Sequence, residues 1–277
     1  MSAIKFDLET ITSHTVANTT GLGRGNVGAI GLKNFVIAID STIYAKTAQI
    51  FRTNLEKRFN LPVKYIIFTH YHADHIFGIG PFKDIVSFCS EQMLENMQSS
   101  SIKQTYEQRV KNFLKEDPLA EGVMFELPNI TFNNKLIIRD EDLYIEAIHL
   151  GGHTSGSSIV HFPHEKVLFA GDLIFANMFP YAGDATCDPE LYIRAIEIMK
   201  EMKPQIVIPG HGKILKGYKT LDEYINFFKK VRMIIKDAIN NEILPEKVEL
   251  PTQYEIFNEE LKSLTVNHWY NFYKKWL

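Results

Sequence analysis

The chain has 277 residues, 45% of them hydrophobic and 23% charged, which suits one large globular domain or one domain with an appendage. Its formal net charge is −3, so it lacks the basic footprint of a nucleic-acid binder. Two cysteines, Cys89 and Cys187, give no disulfide framework, and no apolar run reaches the roughly 18 residues of a membrane span.

The N-terminal MSAIKFDLETITSH has no basic stretch leading into an apolar one, so no signal peptide is expected and a cytoplasmic location is. The first part reads as strands. Phe35–Ile39 is a short apolar run ending at Asp40. Residues 43–60 read as a helix with Ile43, Ile50, Leu55 and Phe59 among its apolar positions. Tyr65–Phe68 is a buried strand that runs into Thr69-His70, and Ile85–Phe88 is a further strand. Residues 91–115 read as one helix, because Tyr106, Val110, Phe113 and Leu114 fall at i, i+4, i+7 and i+8. Met93 and Met97 are core candidates on the same segment, and Pro118 lies just beyond its end. Short strands follow at Lys135–Ile138, Leu143–Leu150, Ser157–Phe162 and Val167–Ala170. A helix at 189–201 leads to the strand Gln205–Ile208. After Gly217 a helical stripe runs through Leu221, Tyr224, Ile225, Phe228, Val231, Ile235 and Ile239. Pro245 and Pro251 break it, and an aromatic-rich helix covers about 253–275. The expected organisation is a core at 1–217, with a helical insertion at about 91–115, and a helical segment at 218–277 packed on that core.

The chemistry concentrates in Thr69-His70-Tyr71-His72-Ala73-Asp74-His75. Residues two apart in an extended segment face one side, so His70 and His72 converge on one ion. Asp74 and His75 sit where the chain must turn and point to a second. Neutral imidazole and carboxylate suit zinc. Downstream, Gly151-Gly152-His153, Gly171-Asp172 and Pro209-Gly210-His211-Gly212 each follow an apolar strand and place one ligand type in a tight turn. Any one of these is an everyday turn; the series, in this order after the histidine cluster, is not.

With these motifs, the sequence resembles the metallo-β-lactamase-fold hydrolase superfamily, whose signature is HxHxDH followed by separate His, Asp and His motifs. The resemblance covers about residues 26–215. It implies an α/β fold, an αββα sandwich with two metal ions at one edge and a helical C-terminal appendage. His70, His72 and His153 would hold the first ion, Asp74, His75 and His211 the second, with Asp172 bridging. Asp172 stands where one major group of metallo-β-lactamases carries Cys, which resembles instead the glyoxalase II, lactonase and general hydrolase branches. Zinc is the expected metal, with iron or manganese open to a carboxylate-rich site.

The implied reaction is attack by a metal-bridging hydroxide on an ester, thioester, lactone or lactam carbonyl of a small molecule, with weak β-lactamase activity as a side reaction. Asp74 would orient the hydroxide and pass a proton to the leaving atom. Tyr181, in the loop after Asp172, is the candidate donor to the oxyanion, though packing at the surface is the ordinary role of such a tyrosine. Competing readings within the resemblance are a mononuclear iron enzyme like the persulfide dioxygenases and a nuclease of the same fold; no nucleic-acid or membrane partner is expected. His14, His149, His161, His164 and His268 match no motif. Asp40 ends a strand at a position where the family has a common Asp, but the family's Gly two residues on is Thr42 here. Lys229, Lys230, Arg232, Lys274 and Lys275 read as a solvated helix face.

Overall fold

Strands that are apolar on both faces need cover on both faces, and two sheets with outer helices supply it. The computed structural model describes residues 5–251, 253, 254, 256 and 258–275; residues 1–4, part of the N-terminal reading, and 255 and 257, within the expected last helix, lie outside these. Strands β1 (Glu9–Thr10), β2 (Thr15–Asn18), β3 (Val27–Gly31), β4 (Val36–Ile39), β5 (Val63–Ile67), β6 (Val86–Ser90) and β7 (Ile130–Phe132) form the first sheet in sequence order. Its pairing turns from antiparallel to parallel at β4–β5. The second sheet holds β8 (Lys135–Asp140), β9 (Leu143–His149), β10 (Ser158–Phe162), β11 (Val167–Phe175), β12 (Ile206–His211) and β13 (Leu215–Lys216), antiparallel except for β11–β12.

Ile30, Ile37 and Ile67 of the first sheet meet Ile145, Val160, Phe169 and Ile208 of the second in one buried layer. Helix α1 (Ala45–Phe59) covers the outer face of the first sheet through Phe51 and Leu55. A short helix α2 (Ala73–Ile76) follows β5. Helices α3 (Glu91–Gln98) and α4 (Ser100–Glu116) add Met93, Met97 and Tyr106 to the same outer layer. On the other side, α5 (Pro189–Glu201), α6 (Leu221–Asn240) and α7 (Glu259–Lys274) cover the second sheet. The order of layers is therefore αββα, with the C-terminal helices sharing the core of α5.

Four boundaries differ from the sequence reading, one of them β12, which runs past Ile208 to His211, so that Pro209-Gly210-His211 lies in the strand instead of a turn. Residues 91–115 are two helices, broken where Ser99 takes ψ 137°. The Ser99 hydroxyl donates to Asn96 O at 2.7 Å, a local bond that competes with helix continuation in the Ser99-Ser100-Ser101 run. Strand β11 does not stop at Ala170 but continues to Phe175 across bulges at Gly171, so Gly171-Asp172 lies within a bulged strand instead of a loop. The last helix starts at Glu259, because the Asn258 side chain caps it by accepting from Glu260 N at 2.8 Å. Among the described residues no helix is long and apolar enough to cross a membrane.

Trp269 of α7 is fully buried and stacks on Phe228 of α6 at 5.5 Å. Trp269→Ala should lower unfolding free energy by about 3–5 kcal/mol in urea titration. An unchanged midpoint would show that α7 is not part of the core.

Candidate metal centre

Strand β5 ends at Ile67, the chain bends at Thr69, and His72 is extended (φ −65°, ψ 147°) when α2 begins. This exit brings His70 and His72 together, and the first turn of α2 swings Asp74 and His75 to the adjacent side. Gly152 (φ +104°) makes the turn that carries His153, and any Cβ there would lie 2.7 Å from Tyr192 Cα. Asp172 comes from the β11 bulge, and His211 ends the neighbouring parallel strand β12. Gly210 is needed between them, since a Cβ at that position would overlap Asp172 Oδ1.

The structure brings all seven sequence-predicted residues together at one edge of the sandwich. They fall into two groups, His70–His72–His153–Asp172 and Asp74–His75–His211, with the donor atoms of each within 4.8 Å of one another. Asp172 lies between them. Its Oδ1 is 3.1 Å from His75 Nε2, and its Oδ2 is 3.5 Å from His70 Nε2, 3.5 Å from His153 Nε2 and 3.4 Å from His211 Nε2. Asp74 Oδ2 is 3.2 Å from His211 Nε2 and 3.7 Å from His75 Nε2. Donors about 2.1 Å from a tetrahedral ion stand about 3.4 Å apart, so the spacing fits two such ions.

Outer hydrogen bonds assign the ring tautomers. His75 Nδ1–H donates to Asp40 Oδ2 at 2.8 Å. His70 Nδ1–H donates to Thr69 Oγ1 at 3.0 Å, and that hydroxyl donates to Asp40 Oδ2 at 2.8 Å. His153 Nδ1–H donates to Tyr181 O at 2.9 Å, and His72 Nε2–H donates to Asp184 Oδ2 at 3.1 Å. The inner nitrogens of His70, His72 and His153 are thereby left with lone pairs, and His75 Nε2 has one once its second proton is lost. His72 Nδ1 and His153 Nε2 face each other at 3.0 Å. His70 Nε2, His75 Nε2 and Asp172 Oδ1 are buried without a hydrogen-bond partner. Converging lone pairs and orphaned buried acceptors are what a cation site requires and what a polar core avoids.

Electrostatics divides the two groups. Burial, followed by the His75 charge, holds His70 well below the usual imidazole range. Burial and the His72 charge bring His153 down to about 4. Burial also disfavours charge on His75 and His211, but carboxylates led by Asp172 outweigh it, raising His75 well above its ordinary value and His211 to about 10. For Asp172, burial is outweighed by His211, His75 and His70, which hold the carboxyl well below its usual range.

Asp40 is the second anchor of the centre: besides His75 and Thr69 Oγ1 it accepts from Thr69 N at 2.8 Å. Thr42 takes the left-handed backbone (φ +67°) that explains the glycine usual there, and its hydroxyl stands 2.7 Å from Thr47 Oγ1. Sequence reasoning missed Asp184. Its carboxylate accepts from His72, from Tyr71 Oη at 2.7 Å and from Thr186 N at 2.8 Å. No motif marks it; Asp-Ala-Thr signals only a turn. Tyr181 lies beside the first group, its ring 5.8 Å from His72 and 5.9 Å from His153. The other histidines make local bonds: His14 with Gly31 O at 2.7 Å, His161 with Glu146 at 3.3 Å and His268 with Cys187 O at 2.7 Å, while His164 packs on Tyr144. His149 reaches Ser155 O at 2.7 Å and so steadies the turn carrying His153. Lys229 and Arg232 pair with Glu197 and Glu190 of α5 on the outer helical layer.

An αββα sandwich with a clustered His/Asp site at its edge defines a metal-binding α/β protein. The family model described as the metallo-beta-lactamase superfamily matches residues 20–211, and the chain belongs to that superfamily. It is similar to the linear primary-alkylsulfatase of Pseudomonas sp. (strain ATCC 19151), 23% identical over 247 residues, covering 75% of this chain and 47% of that protein. It is similar to the beta-lactamase-like protein 2 homolog of Caenorhabditis elegans, 25% identical over 205 residues, covering 72% and 58%. The chain thus spans about half the length of these curated relatives. The solved metallo-beta-lactamase from Pontibacter korlensis shares the fold, with a TM-score of 0.65 at 19% identity, covering 81% of this chain and 99% of that one.

Two outcomes follow from this geometry. Asp184→Ala should weaken metal binding at the His72 group by about 10–100-fold, whereas Asp172→Ala should weaken both groups, as read by competition with a chromophoric chelator. Equal, unchanged affinities in both variants would contradict the assignment. Loading the Asp74–His75–His211 group must displace protons from His75 and His211, whereas His70 and His153 are already neutral at pH 7. Affinity for one ion should therefore keep rising, with proton release, up to about pH 10, where His211 loses its proton, and affinity for the other should change less above pH 7. Identical pH slopes for both ions would refute this division.

Proposed function

We propose that the chain is a binuclear metal-dependent hydrolase acting on an ester, thioester, lactone or lactam carbonyl of a small molecule. The observation that carries this reading is the convergence of the inner imidazole nitrogens and Asp172 into two complete donor groups. Zinc fits the imidazole-rich set, and the carboxylate at 172 leaves iron or manganese open. Such a pair of cations supplies an activated water near neutral pH and Lewis acidity toward a carbonyl oxygen.

The chain's own residues do the rest. Asp74, about a fifth exposed, has an open side from which it orients the attacking water and passes its proton to the leaving atom. Asp40 and Asp184 hold His75 and His72 in the tautomers that keep lone pairs inward. Burial and the nearby Asp184 charge push the Tyr181 hydroxyl up to about 12, so it keeps its proton at pH 7 and can donate to a developing oxyanion. A complete second group, Asp74–His75–His211, supports two ions over the single iron of a persulfide dioxygenase-like enzyme.

The test is turnover of chromogenic esters, thioesters, lactones and a cephalosporin by zinc-, manganese- and iron-loaded protein. The name of the Pseudomonas relative adds a primary alkyl sulfate to the panel. Expected is hydrolysis of at least one carbonyl substrate, abolished by chelator and restored by metal. No turnover with any metal, or oxygen uptake with glutathione persulfide on the iron form, would overturn the reading.

A further inference from the structure

Four of the five imidazoles at the metal centre have their outer N–H bonded to an acceptor. His211 is the fifth, and among the described residues its ring has no such bond. Its side chain is also the most exposed of the five, at 19% against 13% for His72 and 0% for His70, His75 and His153. The ring lies flat on Phe175, with centroids 4.9 Å apart and planes at 8°. Stacking sets the tilt of a ring but not its place within the plane. The place of His211 must therefore be fixed through its backbone.

Asn26 supplies that fixation. It is 5% exposed and stands just before β3, in the connection between β2 and β3. Its backbone N–H donates to Gly210 O at 2.7 Å. Its side-chain Nδ2 donates to Pro209 O at 2.8 Å and to Gly212 O at 2.9 Å. One residue of the first sheet thus binds carbonyls on both sides of His211 in the second. Carbonyls only accept, so both side-chain bonds require the amide nitrogen, and the partners decide which way the amide points. The His211 carbonyl itself accepts from Ala176 N, just past β11, at 2.8 Å. The residue before Asn26 touches the other imidazole of the same group. A Cβ on Gly25 would lie 2.8 Å from His75 Nε2 and 2.9 Å from Asp74 O. Gly25-Asn26 therefore spans the second donor group, packing on His75 at one end and clamping the His211 segment at the other. The two rings stand 5.6 Å apart at 78°.

We propose that Asn26 is a positioning residue for the second ion. It holds His211 Nε2 opposite His75 and Asp74 by clamping the backbone, the role that Asp40, Asp184 and the Tyr181 carbonyl fill for other ligands by bonding the ring. This rests on the two-ion part of the hydrolase reading and does not depend on which bond is cut. Without the clamp the Asp74–His75–His211 group loses affinity, while the His70–His72–His153 group, which Asn26 does not bond, keeps its own.

The experiment is zinc titration against a chromophoric chelator, with cadmium NMR spectra, on wild type, Asn26→Asp, Asn26→Ala and Glu165→Ala. His211→Ala marks the cadmium resonance of the second group. Asn26→Asp keeps the shape of the side chain but sets an oxygen against two carbonyls. Glu165→Ala is the structural control: it removes the acceptor of Ser13 Oγ, His14 N and Thr15 Oγ1 at the far end of the β2–β3 hairpin, where Thr15 pairs with Ile30. Both Asn26 variants should weaken the second ion about 10–100-fold and shift its resonance, with the affinity and resonance of the first ion as in wild type. Glu165→Ala should lower the unfolding midpoint and leave both ions unchanged. Wild-type affinities for both ions in the Asn26 variants, or a loss shared equally by the two, would overturn the proposal and leave the two-ion reading standing. A wild type that holds a single ion would overturn both. Should Asn26→Ala fail to fold, Asn26→Asp and Asn26→Ser carry the same comparison.

Discussion

At the sandwich edge, imidazole nitrogens and two carboxylates point at one another, and four of the five imidazoles have their outer N–H already bonded to an acceptor. Asp40 takes His75 and, through Thr69, His70; Asp184 takes His72; the Tyr181 carbonyl takes His153. Leaving a buried acceptor unsatisfied costs about 1–3 kcal/mol, and His70 Nε2, His75 Nε2 and Asp172 Oδ1 are three of them. A bound zinc ion contributes on the order of 10 kcal/mol to a site of this chemistry. Binding of that strength would outweigh the local cost of the orphaned acceptors.

The donors come from both halves of the sandwich. His70, His72, Asp74 and His75 follow β5 of the first sheet, whereas His153, Asp172 and His211 come from the second. Ions held between them would tie the two sheets together at the edge where the intersheet layer ends. The β11 bulge matters here: pairing with β12 is interrupted after Gly171↔Pro209 and resumes at Phe175↔His211, which turns Asp172 toward the centre without ending the strand. Tyr192 of α5 donates to the Asp172 carbonyl at 2.6 Å, so the outer helical layer also fixes that bulge.

Much of the site was legible because its ligands are dense and local. His70, His72, Asp74 and His75 fall in one short segment, and the remaining ligands sit beside glycines that only tight backbone needs. The helix at 189–201 was legible too, and the structure shows Asp188 capping its start beside Pro189. What escaped depends on tertiary partners. Asp184 is one aspartate in a turn until Tyr71 and His72 are brought to it. The break at Ser99 reflects side-chain bonds to the backbone that helical periodicity does not register. The continuation of β11 past Ala170 depends on a neighbouring strand, and the left-handed Thr42 on the contacts that hold its loop.

The central claim is that two donor groups sharing Asp172 hold two ions at once. Metal analysis of the purified chain after zinc loading and gel filtration tests it most directly. Two ions per chain are expected, both removed by a strong chelator with the fold retained. A ceiling of one ion per chain at saturating zinc would contradict it.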